Sequence, residues 1–190
     1  KKFNLSGGTL PGRQEIDVYV ETMEAVGEAL ERVGRQSLAN NLAVAAVSPE
    51  NAQRLKAAGY TKISMDLEVW DKNLFAGICP GKAKTVGWQR WVESLEAAAE
   101  IFGRGNVRSL FVSGLEPKSS FLEGADYLAS KGVFACPIPW CPNPGSKLEG
   151  HRTPTPGWHL GLAEELVKIW QRHGYTLEQI CEFPAARIFL

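Results

Sequence analysis

The stretch NLAVAAVSPENAQRLKAAG, residues 41 to 59, decides the fold of this chain of 190 residues. Its opening part, residues 41 to 47, is a short apolar run of the kind found in strands that are covered on both faces. Ser48 can then act as N-cap, Pro49 suits the first helical position, and Gly59 marks the stop. A buried strand that leads directly into a helix indicates one unit of a parallel β/α fold.

The same alternation continues on both sides of this unit. Residues 14 to 33 carry apolar side chains at steps of three and four, which predicts a helix after an opening strand that ends before Gly7. Further strands are predicted at 62 to 70, 107 to 114 and 133 to 139, and further helices at 86 to 102, 119 to 131 and 157 to 173. Five alternations predict an α/β fold with a parallel sheet, either an open doubly wound sheet or an arc of a barrel.

The domain organisation follows from the absence of a clear linker. The segment 141 to 157 contains four prolines and three glycines, which is typical of a long loop within a domain. We therefore predict one domain over residues 1 to 174. Residues 175 to 190 are predicted to be a C-terminal tail or the start of an extension.

Composition excludes several classes of partner. Lys plus Arg and Asp plus Glu number 21 each, so the sequence has no basic stripe for a phosphate backbone and we expect no nucleic-acid partner. No apolar run reaches the roughly 20 residues that span a bilayer, and no leader resembles a secretory signal. These features predict a soluble, cytoplasmic protein without membrane contact.

The cysteines and histidines do not form a metal-binding pattern. The four cysteines, at 79, 136, 141 and 181, are too scattered for a disulfide framework and are predicted to be reduced thiols. The three histidines lack metal-ligand spacing. We therefore predict no metal ligands among these residues.

Both possible folds bind ligands at the carboxyl ends of their strands. The residues at those ends are therefore expected to converge around one pocket. They are Gly7, Gly8 and Thr9 after the first strand, Asn40 and Asn41 flanking the second, Glu68 at the third, Gly114 and Glu116 at the fourth, and Cys136 to Trp140 at the fifth.

The residue types at these positions leave several roles open. The SGGT turn could present backbone groups to a ligand or could be a tight turn without one, and it matches neither a Walker A loop nor a dinucleotide fingerprint. Glu68 requires a partner if it is buried, so either a ligand contact or an internal salt bridge would satisfy it. Lys82 follows a Pro-Gly turn and could bind a carboxylate or point into solvent.

Two functions are compatible with these residues alone. One is an ordinary barrel lyase or isomerase with Glu68 and Lys82 as acid and base, and the other is a non-catalytic ligand-binding barrel.

Four segments in the same order resemble radical S-adenosylmethionine (SAM) enzymes. SGGT is similar to the glycine motif of that superfamily, and VRSLFVSGLEP (107 to 117) and GVFACPIPWCPNPGSKL (132 to 148) resemble its fifth and sixth strands. ISMDLEVWDKNLFAGICPGK (63 to 82) with WQRWVESLEAA (88 to 98) resembles the biotin synthase, hydrogenase maturase and methylornithine synthase branch. The similarity extends over roughly residues 3 to 172.

The resemblance implies a partial TIM-type (β/α) barrel with about five of six strand–helix units. It also implies an enzyme that reductively cleaves SAM to a 5'-deoxyadenosyl radical for hydrogen abstraction from a small-molecule substrate. The cofactors would be SAM and a four-iron four-sulfur cluster, and the electron donor would be a protein such as flavodoxin or ferredoxin. The cysteine loop that binds such a cluster is absent from these residues, so its ligands are expected outside them.

The same resemblance assigns roles to individual residues. Gly7, Gly8 and Thr9 would meet the amino group of SAM, although Thr9 stands where many members have glutamate. Glu68 would face SAM or substrate, and Lys82 would bind the SAM carboxylate. The adenosine would contact Val112, Gly114, Cys136 and Ile138, and the substrate would contact Asn41, Glu116 and Trp140.

Overall fold

The computed structural model describes residues 2 to 7, 14 to 35 and 39 to 182. Its centre is one sheet of five strands in the order β1-β2-β3-β4-β5. The strands are β1 (Lys2–Ser6), β2 (Ala39–Ala43), β3 (Lys62–Ser64), β4 (Val107–Ser113) and β5 (Val133–Pro139). All neighbouring strands are parallel. Because strand order follows chain order without reversal, the sheet is the arc of a (β/α) barrel, which confirms the predicted fold class.

The helices occupy the segments between and after the strands. They are α1 (Gln14–Arg32), α2 (Pro49–Ala57), α3 (Lys72–Ile78), α4 (Pro80–Thr85), α5 (Trp88–Phe102), α6 (Lys118–Ser130), α7 (Pro156–Arg172) and α8 (Leu177–Glu182). The predicted N-cap of α2 is confirmed, since the Ser48 hydroxyl accepts a hydrogen bond from the Asn51 N–H at 3.2 Å. Thr155 caps α7 in the same way.

Three details of the predicted elements are wrong. The second strand covers 39 to 43, so Asn40 and Asn41 lie within it and do not flank it. The third strand ends at Ser64, and the chain beyond it pairs with β4 only through an isolated bridge at Glu68. The segment 71 to 85, for which no helix was predicted, contains α3 and α4. The Asp71 side chain caps α3, a signal that sequence inspection could have used.

The core lies between the sheet and the helices that cover its outer face. Phe111 of β4 packs against Phe121 of α6 with ring centroids 5.2 Å apart, and the Trp70 ring stacks 6.4 Å from the Phe111 ring. Gly124 of α6 lies directly against Trp70, because a Cβ there would come within 2.5 Å of the Trp70 Cγ. Side-chain volume at position 124 is therefore limited by the indole.

The beginning of the predicted C-terminal tail packs onto the barrel. Tyr175 is buried, its hydroxyl donates to the Ala129 carbonyl at 3.3 Å, and its ring centroid lies 4.2 Å from that of Phe134. Ile180 of α8 is also buried. Among the described helices, none is long and apolar enough to cross a membrane.

Asp126 joins α6 to the end of α7. Its Oδ1 accepts hydrogen bonds from Arg172 at 2.6 Å and from the His173 ring at 2.7 Å. These two bonds hold the pKa of Asp126 below its usual range. A carboxyl pKa that is lower in the folded state stabilises the fold above the unfolded pKa, and this stabilisation disappears as pH falls through the folded pKa.

We predict a pH-dependent effect of Asp126→Asn on stability. At pH 7 the variant should lose at most about 1 kcal/mol of unfolding free energy, because the pair is half exposed. The difference from wild type should vanish as the solution is acidified through the Asp126 pKa. Urea unfolding at a series of pH values measures this, with Glu123→Gln on the same helix as control. A difference that is constant with pH would contradict the assignment.

Candidate active site

A cavity of about 160 Å³ opens at the carboxyl ends of β1, β2 and the segment that follows β3. Parallel barrels place their ligand sites at this end of the strands. Its lining combines backbone from the first two strand ends with charged and aromatic side chains. The lining residues are Ser6, Gly7, Glu15, Ala43, Val44, Ala45, Asp66, Glu68, Lys82 and Trp91.

Lys82 and Glu68 form an ion pair at this cavity. The Lys82 ammonium lies 2.7 Å from the Glu68 Oε1 and donates to the Asp66 carbonyl at 2.5 Å. It also lies 4.7 Å from the centroid of the Trp91 ring, in a cation–π contact. The Trp91 indole is itself fixed by a hydrogen bond to the Met65 carbonyl at 3.2 Å. The two predicted residues therefore meet in one fixed group of contacts.

Burial controls the electrostatics of this pair. It raises the pKa of Glu68, an effect that the nearby Lys82 charge opposes. Burial likewise raises the pKa of the neighbouring Asp66, against a hydrogen bond from the Leu110 N–H and the charges of Arg108 and Lys82. The carboxylates therefore lie in an environment that favours a cationic partner.

Glu68 is held in an unusual backbone conformation. Its φ is +74°, and it is the only non-glycine residue with positive φ among the described ranges. Two backbone hydrogen bonds to β4 hold it there: its N–H donates to the Leu110 carbonyl at 3.0 Å, and its carbonyl accepts from the Val112 N–H at 2.6 Å. The conformation directs the carboxylate to the cavity, where it meets Lys82.

Gly7 is in close contact with Tyr19 of α1. A Cβ at Gly7 would lie 3.0 Å from the Tyr19 hydroxyl, and the Gly7 N–H donates to that hydroxyl. The close approach predicted at Gly7 is therefore made at least in part by the protein itself. Gly8 and Thr9, the other predicted residues of this turn, lie outside the described residues.

The predicted adenosine residues lie at the ends of β4 and β5. Val112 and Ile138 are paired in register, as are Leu110 and Cys136. This group adjoins the cavity, because Val112 is hydrogen-bonded to Glu68. The Cys136 thiol is buried, which raises its pKa to about 12 and makes it a poor nucleophile at neutral pH.

Gly114 is covered by the loop that follows β5. A Cβ at Gly114 would lie 2.5 Å from the Pro154 Cδ, and the Gly114 carbonyl is 2.7 Å from the His151 Nε2. The Trp140 indole donates to the His151 carbonyl at 3.1 Å, and Thr153 bonds the Trp140 carbonyl. We call residues 140 to 155 the strap. Trp140, which was predicted to contact the substrate, therefore holds the strap in this conformation through two hydrogen bonds.

The predicted substrate residues Asn41 and Glu116 lie away from the cavity lining. The Asn41 amide donates to Asn4 Oδ1 at 2.5 Å and to Ser64 Oγ at 3.1 Å, in a polar group on one face of the sheet. The Glu116 carboxylate is 6% exposed and bonds the segment between β3 and α3. Both side chains have protein partners, and their contact with substrate remains a prediction.

Glu116 is expected to be important for stability. Its carboxylate accepts from the backbone N–H groups of Trp70 and Asp71 at 2.8 and 3.0 Å, and from the Ser120 hydroxyl at 2.7 Å. Glu116→Ala should cost about 2 to 4 kcal/mol of unfolding free energy because two partly buried donors lose their acceptor. Ser120→Ala, which removes one bond, should cost about 1 kcal/mol. Urea unfolding measures both; unchanged stability of Glu116→Ala with lost substrate turnover would favour the substrate role.

Among the charged and aromatic side chains that line the cavity, sequence reasoning missed Glu15, Asp66 and Trp91. Glu15 looks like an ordinary acidic residue of a first helical turn, and Trp91 fits the apolar face of α5. Asp66 lies two residues before Glu68, so the two side chains would share one face of the strand predicted over residues 62 to 70. That period-two relation is the signal that could have identified Asp66.

Metal-binding groups do not assemble in the described part of the chain. In residues 2 to 7, 14 to 35 and 39 to 182, no three His, Cys, Asp or Glu side chains form a group that could hold a metal ion. The thiols of Cys79, Cys136, Cys141 and Cys181 are all free. These residues therefore do not fit an iron–sulfur cluster.

Comparison with known proteins relates this fold to enzymes. No family model matches the sequence. A bacteriochlorophyllide c C-7(1)-hydroxylase from Chlorobaculum limnaeum is 33% identical over 122 residues, which are 64% of this chain and 30% of the hydroxylase. The chain thus spans less than a third of the length of this curated relative.

Two solved structures share the architecture. HydG, a maturase of the [FeFe]-hydrogenase, superposes with a TM-score of 0.66 at 16% identity, covering 91% of this chain and 39% of HydG. Coproporphyrinogen III oxidase (HemN) from Escherichia coli, a radical SAM enzyme, gives a TM-score of 0.55 at 14% identity, covering 92% of this chain and 52% of HemN. The chain therefore has a fold that occurs in a radical SAM enzyme.

Proposed function

We propose that this chain is the SAM-binding barrel portion of a radical SAM enzyme that acts on a small-molecule substrate. The observation that carries the proposal is the Glu68–Lys82 pair at a cavity formed by the carboxyl ends of consecutive parallel strands. The similarity to HemN, HydG and the hydroxylase supports it.

The charged pair suits the amino-acid end of SAM. When SAM binds, its carboxylate takes a place at the Lys82 ammonium, while Glu68 and the backbone at Gly7 face its amino group. Trp91 and the Asp66 carbonyl keep the ammonium in position during this exchange. Because the pair is already formed and partly buried, the side-chain ordering cost of binding is low.

The adenosine end requires more room than the cavity provides. A volume of about 160 Å³ is below the roughly 300 Å³ of a typical small-molecule pocket. In this proposal the adenosine extends along the ends of β4 and β5, where Val112 and Ile138 lie side by side. Contact between the adenosine and Gly114 requires that the strap, which includes Pro154, moves away from Gly114.

SAM supplies the radical chemistry by its reductive cleavage, and the residues described here bind and orient it. The iron–sulfur cluster is assigned to residues outside these 190. The electron donor is proposed to be flavodoxin or ferredoxin. Tetrapyrroles are the first substrates to test, because the relative with 33% identity is named for one.

The test uses the full-length protein, reconstituted with iron and sulfide under anaerobic conditions. We expect a cluster absorbance and, with SAM and reductant, formation of 5'-deoxyadenosine and methionine. If the protein shows no cluster absorbance and forms no 5'-deoxyadenosine, the proposed function is wrong. SAM binding without cleavage would favour a non-catalytic barrel, and activity in air that is independent of SAM would favour a lyase or isomerase.

A further inference from the structure

Glu15 places a buried carboxylate in the cavity from a helix that lies outside the sheet. It lies in the first turn of α1, is 8% exposed, and lines the cavity together with Ala45 of the loop after β2. The Ala45 backbone N–H donates a hydrogen bond to its carboxylate. Glutamate is seldom buried to this degree unless it is paired.

No lysine or arginine of the described ranges pairs with Glu15. Lys82, the ammonium of the cavity, is engaged by Glu68 at 2.7 Å and by the Asp66 carbonyl. Among the described residues that line the cavity, Glu15, Asp66 and Glu68 carry carboxylates and Lys82 carries an ammonium, while the charge of the nearby Arg108 also acts on Asp66. The charge balance of the cavity is suited to a ligand that carries a positive group.

Burial raises the pKa of Glu15, against the hydrogen bond from Ala45. Within the described part of the chain, the ionised side chain thus has no counter-charge that could offset its loss of water. A cation delivered by a ligand would provide that counter-charge.

The first turns of α1 are held firmly at this position. Tyr19, one turn after Glu15, meets Gly7 with its hydroxyl, and its backbone carbonyl accepts from the Tyr60 hydroxyl at 2.8 Å. These two contacts tie α1 to the end of β1 and to the segment before β3. The Glu15 carboxylate is therefore presented by a fixed element, as precise ligand recognition requires.

We propose that Glu15 is a ligand-binding residue of this cavity and contacts the positively charged amino group of the ligand, while Lys82 contacts its carboxylate. This inference rests on the proposed function and adds to it a residue on a different element from Glu68. Glu15 supplies a carboxylate on the helix that follows the SGGT turn, whereas the Thr9 side chain within that turn has none.

The test compares the binding of two ligands by Glu15→Gln in the full-length protein, measured by equilibrium dialysis. Glutamine keeps the shape and an acceptor for the Ala45 N–H but removes the charge. SAM affinity should fall about 10- to 100-fold, the usual effect of losing one charged hydrogen bond. Affinity for 5'-methylthioadenosine, which lacks the cationic α-amino group of the methionine part of SAM, should stay unchanged. Glu24→Gln, on an exposed position of the same helix, should leave both affinities unchanged.

The outcomes separate this inference from the proposed function. If the wild-type protein binds no SAM, the proposed function fails. If the wild-type protein binds SAM and Glu15→Gln binds it equally well, the assignment of Glu15 alone is overturned. Glu15→Asp keeps the charge and should retain more SAM affinity than Glu15→Gln; equal loss in both variants would also overturn the assignment. Thermal unfolding of each variant verifies folding, and Glu15→Gln should be at least as stable as wild type because a buried charge is removed.

Discussion

Replacing Lys82 with methionine is expected to weaken SAM binding by about 100-fold or more. The substitution keeps an unbranched side chain of similar length against the Trp91 ring but removes the ammonium. The SAM carboxylate then loses its charged partner, and Glu68 is left half-buried without its counter-ion at 2.7 Å. The first effect removes the attraction for the SAM carboxylate, and the uncompensated Glu68 charge repels that carboxylate.

The matched control is Lys84→Met on the same helix, where the side chain is exposed. Its SAM affinity should equal that of wild type within about twofold, as for a solvated charge. Equilibrium dialysis of the full-length protein measures both variants, with circular dichroism to verify that each is folded. A folded Lys82→Met protein with wild-type affinity for SAM would refute the proposed contact.

Gly124→Ala should destabilise the fold by about 3 kcal/mol, although alanine is the better helix former. The new methyl group would lie 2.5 to 2.7 Å from the Cγ, Cδ2 and Cβ atoms of Trp70. That indole cannot retreat easily, because it contacts the rings of Trp88, Phe111 and Tyr127. A displaced Trp70 would also disturb the backbone that carries the Glu116 hydrogen bonds.

Gly27→Ala is the control for this substitution. Gly27 also lies within a helix, but a Cβ there would meet nothing within 4 Å. The control should stabilise the protein by about 0.5 to 1 kcal/mol through its helix propensity. Urea unfolding of both variants gives the comparison, and equal stabilisation of the two would show that Trp70 does not restrict position 124.

The fold could be predicted largely because local patterns determine it. The apolar period of α1 and the cap of α2 at Ser48 are local features, and both appear in the structure. The choice between a doubly wound sheet and a barrel depends on strand order, which no local pattern encodes. The resemblance to radical SAM enzymes provided that choice. The positive φ at Glu68, beyond the end of β3, could not be predicted because glutamate is not a residue type that signals it.

Part of the site could also be predicted from local patterns, and part of it depends on tertiary packing. Glu68 and Lys82 stand out in the sequence as charges beside an apolar strand and a Pro-Gly turn, and the structure brings them together. Glu15 does not stand out, since an acidic residue in a first helical turn has an ordinary explanation in the helix dipole. Only the packing of α1 against the strand ends places that carboxylate at the cavity.

The left-handed backbone of Glu68 implies a trade-off between folding and ligand recognition. Glycine adopts such a φ without the cost of about 1 kcal/mol or more that a side chain incurs there. Glu68→Gly should therefore relieve this backbone cost, while it removes the partner of Lys82 and the carboxylate from the cavity. In the proposed function, glutamate at this position exchanges some stability of the fold for a carboxylate that contacts the ligand.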